Sequence, residues 1–285
     1  DLHLSLRRQR QMCIRDRLWA HEMTNDTTWM VADIYNGSSS SYGGSDGIVV
    51  GSRYYFNANE GNTSGSHGDL WVYEMTNETI WNLTDSASGG PVSPSQFISM
   101  GSRIYFKGYT GFYANIWAHE TTNDTTWKVT DADTDGLWPA QTMAQNQPLS
   151  ITKVDSKILF VIENSSTSIW IHDTTNDTTW NSGLIDIDWL DSNNPFAHIG
   201  SRIFFRIDNG SFTSNRLGAF EISNETSWVV DDGPLRGPSS IRVIGAQLIF
   251  QGFLLGGDSA LWMHDPIGVT VSGPSIGPVT NAVCE

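Results

Sequence analysis

The chain has 285 residues, 39% of them hydrophobic, and its 31 Asp and Glu against 16 Lys and Arg give a net charge of −15. Such an acid excess argues against binding nucleic-acid phosphates, which calls for clustered positive charge, and it suits solubility in salty water. No apolar run reaches the length of a membrane span; the best candidate, Ile241 to Leu255, is broken by Arg242, Gln247 and Gln251.

Residues 1–17 stand apart from everything that follows. The stretch from Asp1 to Arg17 back-translates almost without slack into a short barcode followed by a transposon-based sequencing-library adapter, which it resembles. We expect it to be non-native, in preference to a basic arm that binds an anion or a membrane, and set it aside from fold reasoning. Without Arg7, Arg8, Arg10, Arg15, Arg17, Asp1 and Asp16, 11 basic residues face 29 acidic ones, a net charge of −18. Cys13 also drops out, which leaves Cys284 alone and no disulfide framework. On this reading the chain is a metagenomic fragment that begins inside a repeat, with any signal peptide lying upstream.

From Leu18 onward one sentence recurs. Leu18-Trp19-Ala20-His21-Glu22-Met23-Thr24-Asn25-Asp26-Thr27-Thr28-Trp29 returns as Leu70 to Trp81, Ile116 to Trp127, Ile169 to Trp180 and, eroded, Leu217 to Trp228, with a stub at Leu261 to Asp265. A period of roughly 40–50 residues is the mark of a propeller or solenoid. The third unit shows the plan. Gln96–Met100, Arg103–Gly108, Asn115–Glu120 and Thr126–Asp131 are four short strands separated by turn residues. The second strand follows a Gly at Gly51, Gly101, Gly200 and Gly245, and Asp155 takes that place once; both residue types tolerate the left-handed backbone of a tight turn. Six third strands make six sectors. The expected fold is all-β, a β-propeller of four-stranded blades. It has six sectors with the first incomplete, or is a fragment of a seven- or eight-bladed ring. Residues 18–272 form the propeller, and 273–285 a linker to a further domain.

The units Leu70-Trp71-Val72-Tyr73-Glu74 and their counterparts, closed by Asp33, Asp85, Asp131, Asp186 and Asp231, resemble the ELW repeats of bacterial and archaeal surface proteins. The resemblance covers roughly residues 18–272. It implies an exported propeller and says little about chemistry. Acceptor triplets for N-glycosylation begin at Asn25, Asn36, Asn62, Asn77, Asn82, Asn123, Asn164, Asn176, Asn209 and Asn224. They point the same way, to an extracellular or cell-surface location.

Recurrence itself suggests scaffold. The acid that ends the third strand (Glu22, Glu74, Glu120, Asp173, Glu221, Asp265) is expected to accept hydrogen bonds from the following Thr-Asn turn rather than to form a ring around a cation. The residue before it is His21, Tyr73, His119, His172, Phe220 or His264. That mixture reads as a half-buried aromatic surface, since metal ligands must converge within about 2 Å of one ion. The Trp pairs, such as Trp71 and Trp81, are expected to face each other across a hairpin rather than to stack sugars. Gly218, standing where Trp is expected, reads as erosion rather than as an opening for a ligand. The turn Thr-Asn-Asp-Thr-Thr-Trp faintly resembles the Asp-box of sialidase-like propellers, but the Gly is missing and the spacing is one short.

A site is more readily hidden in the non-repeated loops. Trp138 lies in one, and Asp186, Asp188, Trp189 and Asp191 crowd into another. Together they are the candidate ligand loop, able to offer oxygen ligands and an aromatic face to calcium or a sugar; a solvated acidic loop is the alternative. No catalytic residue, metal or cofactor is assigned. The expected function is a non-enzymatic, exported binding or scaffold module in a larger surface protein, with a protein or glycan ligand. The alternative is a carbohydrate-active enzyme, a glycoside hydrolase or lyase. That would need paired carboxylates about 5–10 Å apart.

Overall fold

The structure, a computed structural model, describes residues 17–35, 42–61, 68–85, 88–111, 113–130, 148–163, 167–185, 187–188, 196–207, 215–230, 235–254 and 259–266. Among them the regular elements are all β-strands, and no helix is long and apolar enough to cross a membrane. The chain divides into two compact units, residues 1–151 with 174–179 and residues 152–173 with 180–285.

The first unit opens with a hairpin, β1 (Leu18–Glu22) and β2 (Thr27–Ala32). Two four-stranded antiparallel meanders follow. One holds β3 (Tyr42–Val50), β4 (Arg53–Ala58), β5 (Asp69–Glu74) and β6 (Thr79–Asn82). The other holds β7 (Val92–Met100), β8 (Arg103–Thr110), β9 (Tyr113–Glu120) and β10 (Thr125–Lys128). A further four-stranded sheet contains β11 (Pro148–Val154), β12 (Lys157–Glu163), β13 (Thr167–Asp173) and β14 (Thr178–Ile185).

The second unit adds two sheets. In one, β15 (Ile187–Asp188) and β16 (Ala197–Ile199) both pair with β17 (Arg202–Ile207), which continues to β18 (Arg216–Glu221) and β19 (Thr226–Val229). The last sheet has three strands, β20 (Leu235–Ile244), β21 (Gln247–Leu254) and β22 (Ser259–His264).

Strand order and turns agree with the sequence. Gly101 sits at φ 61° as the first of two turn residues between β7 and β8, and Asp155 takes the same conformation at φ 53°. Asp tolerates it because its short side chain can hydrogen-bond locally. Strand ends differ. β7 starts at Val92 rather than Gln96, because two register shifts carry the pairing past Pro94. Past Lys128 the Val129 N–H still donates to the Ile116 carbonyl at 2.8 Å, but the return bond goes to a side chain, the Ile116 N–H donating to the Thr130 hydroxyl at 3.0 Å. Thr84 does the same for the Leu70 N–H at 2.9 Å.

Inner strands are apolar at nearly every position because both of their faces are covered, and alternation then chooses which neighbour each side chain meets. Tyr55, Leu70 and Val72 pack with Ile104, Phe106 and Trp117 of the next sheet. Phe56, Ala58, Trp71 and Tyr73 point the other way, against Leu18, Val31 and Ile34. In the second unit Phe204, Leu217 and Ala219 meet Leu235, Leu248 and Phe250 in the same fashion. Where no sheet covers a face the equivalent residue is open: Leu261 is 60% exposed, although Leu70 in the same place is fully buried.

The adapter-like segment lies outside the described residues except for Arg17, which pairs with Asp33 at 2.9 Å. Residues 267–285 lie outside them as well.

Candidate functional site

The recurring polar residues come together at the end of the sheet where the third strand turns into the fourth. Each turn has an Asn followed by an acid in the left-handed region: Asp26, Glu78, Asp124, Asp177 and Glu225 have φ between 54° and 57°. The Asn side chain stabilises that backbone as an Asx turn. At Asn77 the Oδ1 accepts the Thr79 N–H at 3.2 Å and the Thr79 hydroxyl at 2.6 Å.

The acid before the turn is held from the other side. Glu74 accepts the Thr76 hydroxyl at 2.8 Å and the Thr76 N–H at 3.2 Å, and Glu22 and Glu120 repeat the pattern with Thr24 and Thr122. Glu221 accepts from the hydroxyls of Ser201 and Ser223. Hydroxyl donation from Ser52 and Thr76, helped by Arg53, draws the Glu74 carboxyl down to about 2. At Glu120 burial pushes upward, but the hydroxyls of Ser102 and Thr122 outweigh it and the carboxyl is lowered. The expected turn-capping role of this acid is therefore what the geometry displays.

In the first unit two arginines, on β4 and β8, each tie their own sheet to the turn of the following one. Arg53 lies 3.3 Å from Glu74 of its own sheet and 3.0 Å from Asp124 in the following turn, where it also donates to the Thr121 carbonyl at 3.2 Å. Its guanidinium carbon sits 5.3 Å from the centre of the Trp81 ring. Arg103 repeats this with Glu120, Asp177 and Trp127. In the second unit Arg202 stands over Trp228 and donates to the Pro266 carbonyl at 3.0 Å. Lys157 fills the place once, 3.1 Å from Asp173. Half-exposed ion pairs and cation–π contacts are each worth about 1 kcal/mol or less. The constellation is a repeated brace, and its arginines are already engaged.

The histidines do not converge. His119 is fully buried, its Nδ1 2.9 Å from the Thr126 hydroxyl and its ring 5.5 Å from Tyr55. Burial lowers its pKa, opposed by Asp124. Among the described residues no three His, Cys, Asp or Glu are grouped as a metal site.

The Trp expectation is corrected. Trp71 pairs with Asn82, and Trp81 with Val72. In this hairpin opposite residues have an odd sum (Glu74 with Thr79), so two Trp ten apart fall on opposite faces. Trp71 packs toward the preceding hairpin and Trp81 toward the following sheet, under Arg53. The missing Trp at Gly218 has left no opening. A Cβ there would come within 2.8 Å of Ile207 and 2.9 Å of Phe205, whose side chains fill the space. Gly218→Trp is expected to cost about 1–3 kcal/mol or more through overpacking, read as a lower urea midpoint; a rise in stability would show instead that the place is open.

Of the candidate ligand loop, Trp138, Asp186, Trp189 and Asp191 lie outside the described residues. Asp188 falls in β15, in register with Arg206 of β17. The described part of the loop is thus a short strand paired with β17.

No family model matches the chain, and no curated protein matches it. Solved structures do. A puromycin hydrolase, an S511A mutant complexed with PGG, aligns with TM-score 0.56 and 11% identity over 91% of this chain and 42% of its own. A puromycin-hydrolyzing peptidase of Mycobacterium tuberculosis aligns with TM-score 0.54 and 9% identity over 88% of this chain and 40% of its own. A prolyl endopeptidase, from work on inter-domain dynamics in catalysis and specificity, reaches TM-score 0.52 at 10% identity, over 88% of this chain and 38% of its own. The chain thus spans about two-fifths of the length of these enzymes, and what it shares with them is a propeller-like, all-β fold. This corrects the expectation of an exported binding or scaffold module and that of a carbohydrate-active enzyme. The solved structures whose fold this one follows over 88–91% of its length are a puromycin hydrolase, a puromycin-hydrolyzing peptidase and a prolyl endopeptidase.

Proposed function

We propose that this chain is the propeller domain of a longer peptidase-type hydrolase. In that reading the six repeat sheets are sectors of one ring, with the β1–β2 hairpin an incomplete sector. The chain borders a separate hydrolytic domain and governs which peptides reach it. The observation that carries the reading is the alignment over 91% of this chain but 42% of the puromycin hydrolase. The repeated braces support it, since a domain that admits or excludes substrate as a body must hold its own shape. ELW-type repeats over residues 18–272, an adapter-derived segment at 1–17 and export remain part of the proposal.

The test is the complete gene. Its product is expressed and assayed on puromycin and on prolyl peptides, beside the isolated chain. Expected are turnover by the full-length product, none by the chain alone, and relaxed discrimination by substrate size when the propeller is deleted. A full-length product that cleaves neither substrate overturns the reading.

A further inference from the structure

The hairpin turns carry a chemistry that the brace does not use. Asn25, Asn77, Asn123, Asn176 and Asn224 are exposed, and each opens an Asn-acid-Thr triplet. The geometry is the same in all five: Oδ1 accepts the Thr hydroxyl two residues on at 2.6 to 2.7 Å and its N–H at 3.1 to 3.2 Å. The carboxamide plane is therefore fixed, with the oxygen engaged by the chain. The amide nitrogen on the other side remains for an outside partner. Asn25, Asn77, Asn123 and Asn176 all belong to the first unit, and Arg53 and Arg103 hold the central acids Asp124 and Asp177 of two of the triplets. These turns are exposed acceptors that share one local geometry.

Asn82-Leu83-Thr84 has the same letters and a different surrounding. Thr84 is 9% exposed, its hydroxyl accepts the Leu70 N–H, and Asn82 is itself half-buried in β6. A transferase must reach both the Asn and the Thr, and here it cannot.

We propose that the five turn asparagines are N-glycosylation sites, and that Asn82 is not. The donor is an oligosaccharide on a polyprenyl pyrophosphate. Nδ2 attacks the anomeric carbon and the N–C bond forms. The bond from that carbon to the phosphate oxygen breaks, and the lipid pyrophosphate leaves with the electron pair. The Nδ2 proton passes to a base of the transferase. The acceptor motif is short and common. What sets these copies apart is that the fold presents all five identically.

Folded, purified chain is incubated with an N-oligosaccharyltransferase and its polyprenyl-pyrophosphate oligosaccharide, and glycopeptides are mapped by mass spectrometry. Glycan is expected on Asn25, Asn77, Asn123, Asn176 and Asn224, with Asn82 at background. Thr79→Ala should abolish occupancy at Asn77 alone, and Thr79→Ser should keep it. Melting curves of both variants establish that they are folded. Bare turns beside a modified Asn-Xaa-Thr control peptide would overturn the proposal, as would occupancy at Asn82 equal to that of the turns.

Discussion

Phe106→Ala should destabilise the first unit by about 3–5 kcal/mol, the cost of a large aromatic deletion in a packed core. Phe106 is fully buried in β8. It packs with Tyr55, Leu70 and Val72 of the preceding sheet and with Trp117 of its own, and its ring centre is 5.5 Å from that of Phe97. Strands pinned on both faces cannot relax inward to close a cavity, so the cost falls at the upper end of the range. The measurement is a urea titration followed by Trp fluorescence, with the midpoint shifting and the slope unchanged. Phe106→Leu, which keeps most of the volume, should cost under about 1.5 kcal/mol. A loss below about 1 kcal/mol for the Ala variant would contradict the packing between the two sheets.

Acid should destabilise the protein in two pH windows. His119 is buried, and that burial holds its folded pKa below 6.5. The unfolded chain therefore takes up this proton first, and stability is lost as the pH falls below about 6.5. Glu74 has the opposite charge type and the same consequence. Its folded pKa is about 2 against 4.5 unfolded, so the stability it contributes is complete above 4.5 and disappears as the pH falls toward 2. Glu22, Glu120 and Glu221 are also lowered and act in that second window. Melting temperature measured against pH should thus decline from near neutrality and then more steeply below about 4.5. His119→Phe should lessen the first decline, and Phe220 shows that the repeat accommodates Phe at this place. A melting temperature that stays level between pH 7 and 5 in the parent chain would rule out the buried neutral imidazole.

The likeness to peptidases was not legible in the sequence, because at 9–12% identity no motif survives to be read. What survives is a backbone path, and many sequences satisfy one path. Of the candidate loop only Asp188 lies among the described residues, in a short strand that pairs with β17. The turns, by contrast, were legible because they are local. An Asn, an acid and a Thr in succession interact within two residues, and Glu22, Glu74 and Glu120 each accept from the Thr two residues on.

By itself, then, the sequence determined the strands, their order, the turns that join them and the repeat that multiplies them, since all of these depend on neighbours close in the chain. Tertiary structure decided the rest. Whether Trp71 and Trp81 share a face hinged on the parity of the hairpin register. Arg53 found Asp124, 71 residues away, because two sheets stacked. The space left by the missing Trp at Gly218 was closed by Ile207 and Phe205 of the neighbouring strand. Contacts of that kind depend on which surfaces meet, and close packing between sheets, not the composition of either strand, selects them.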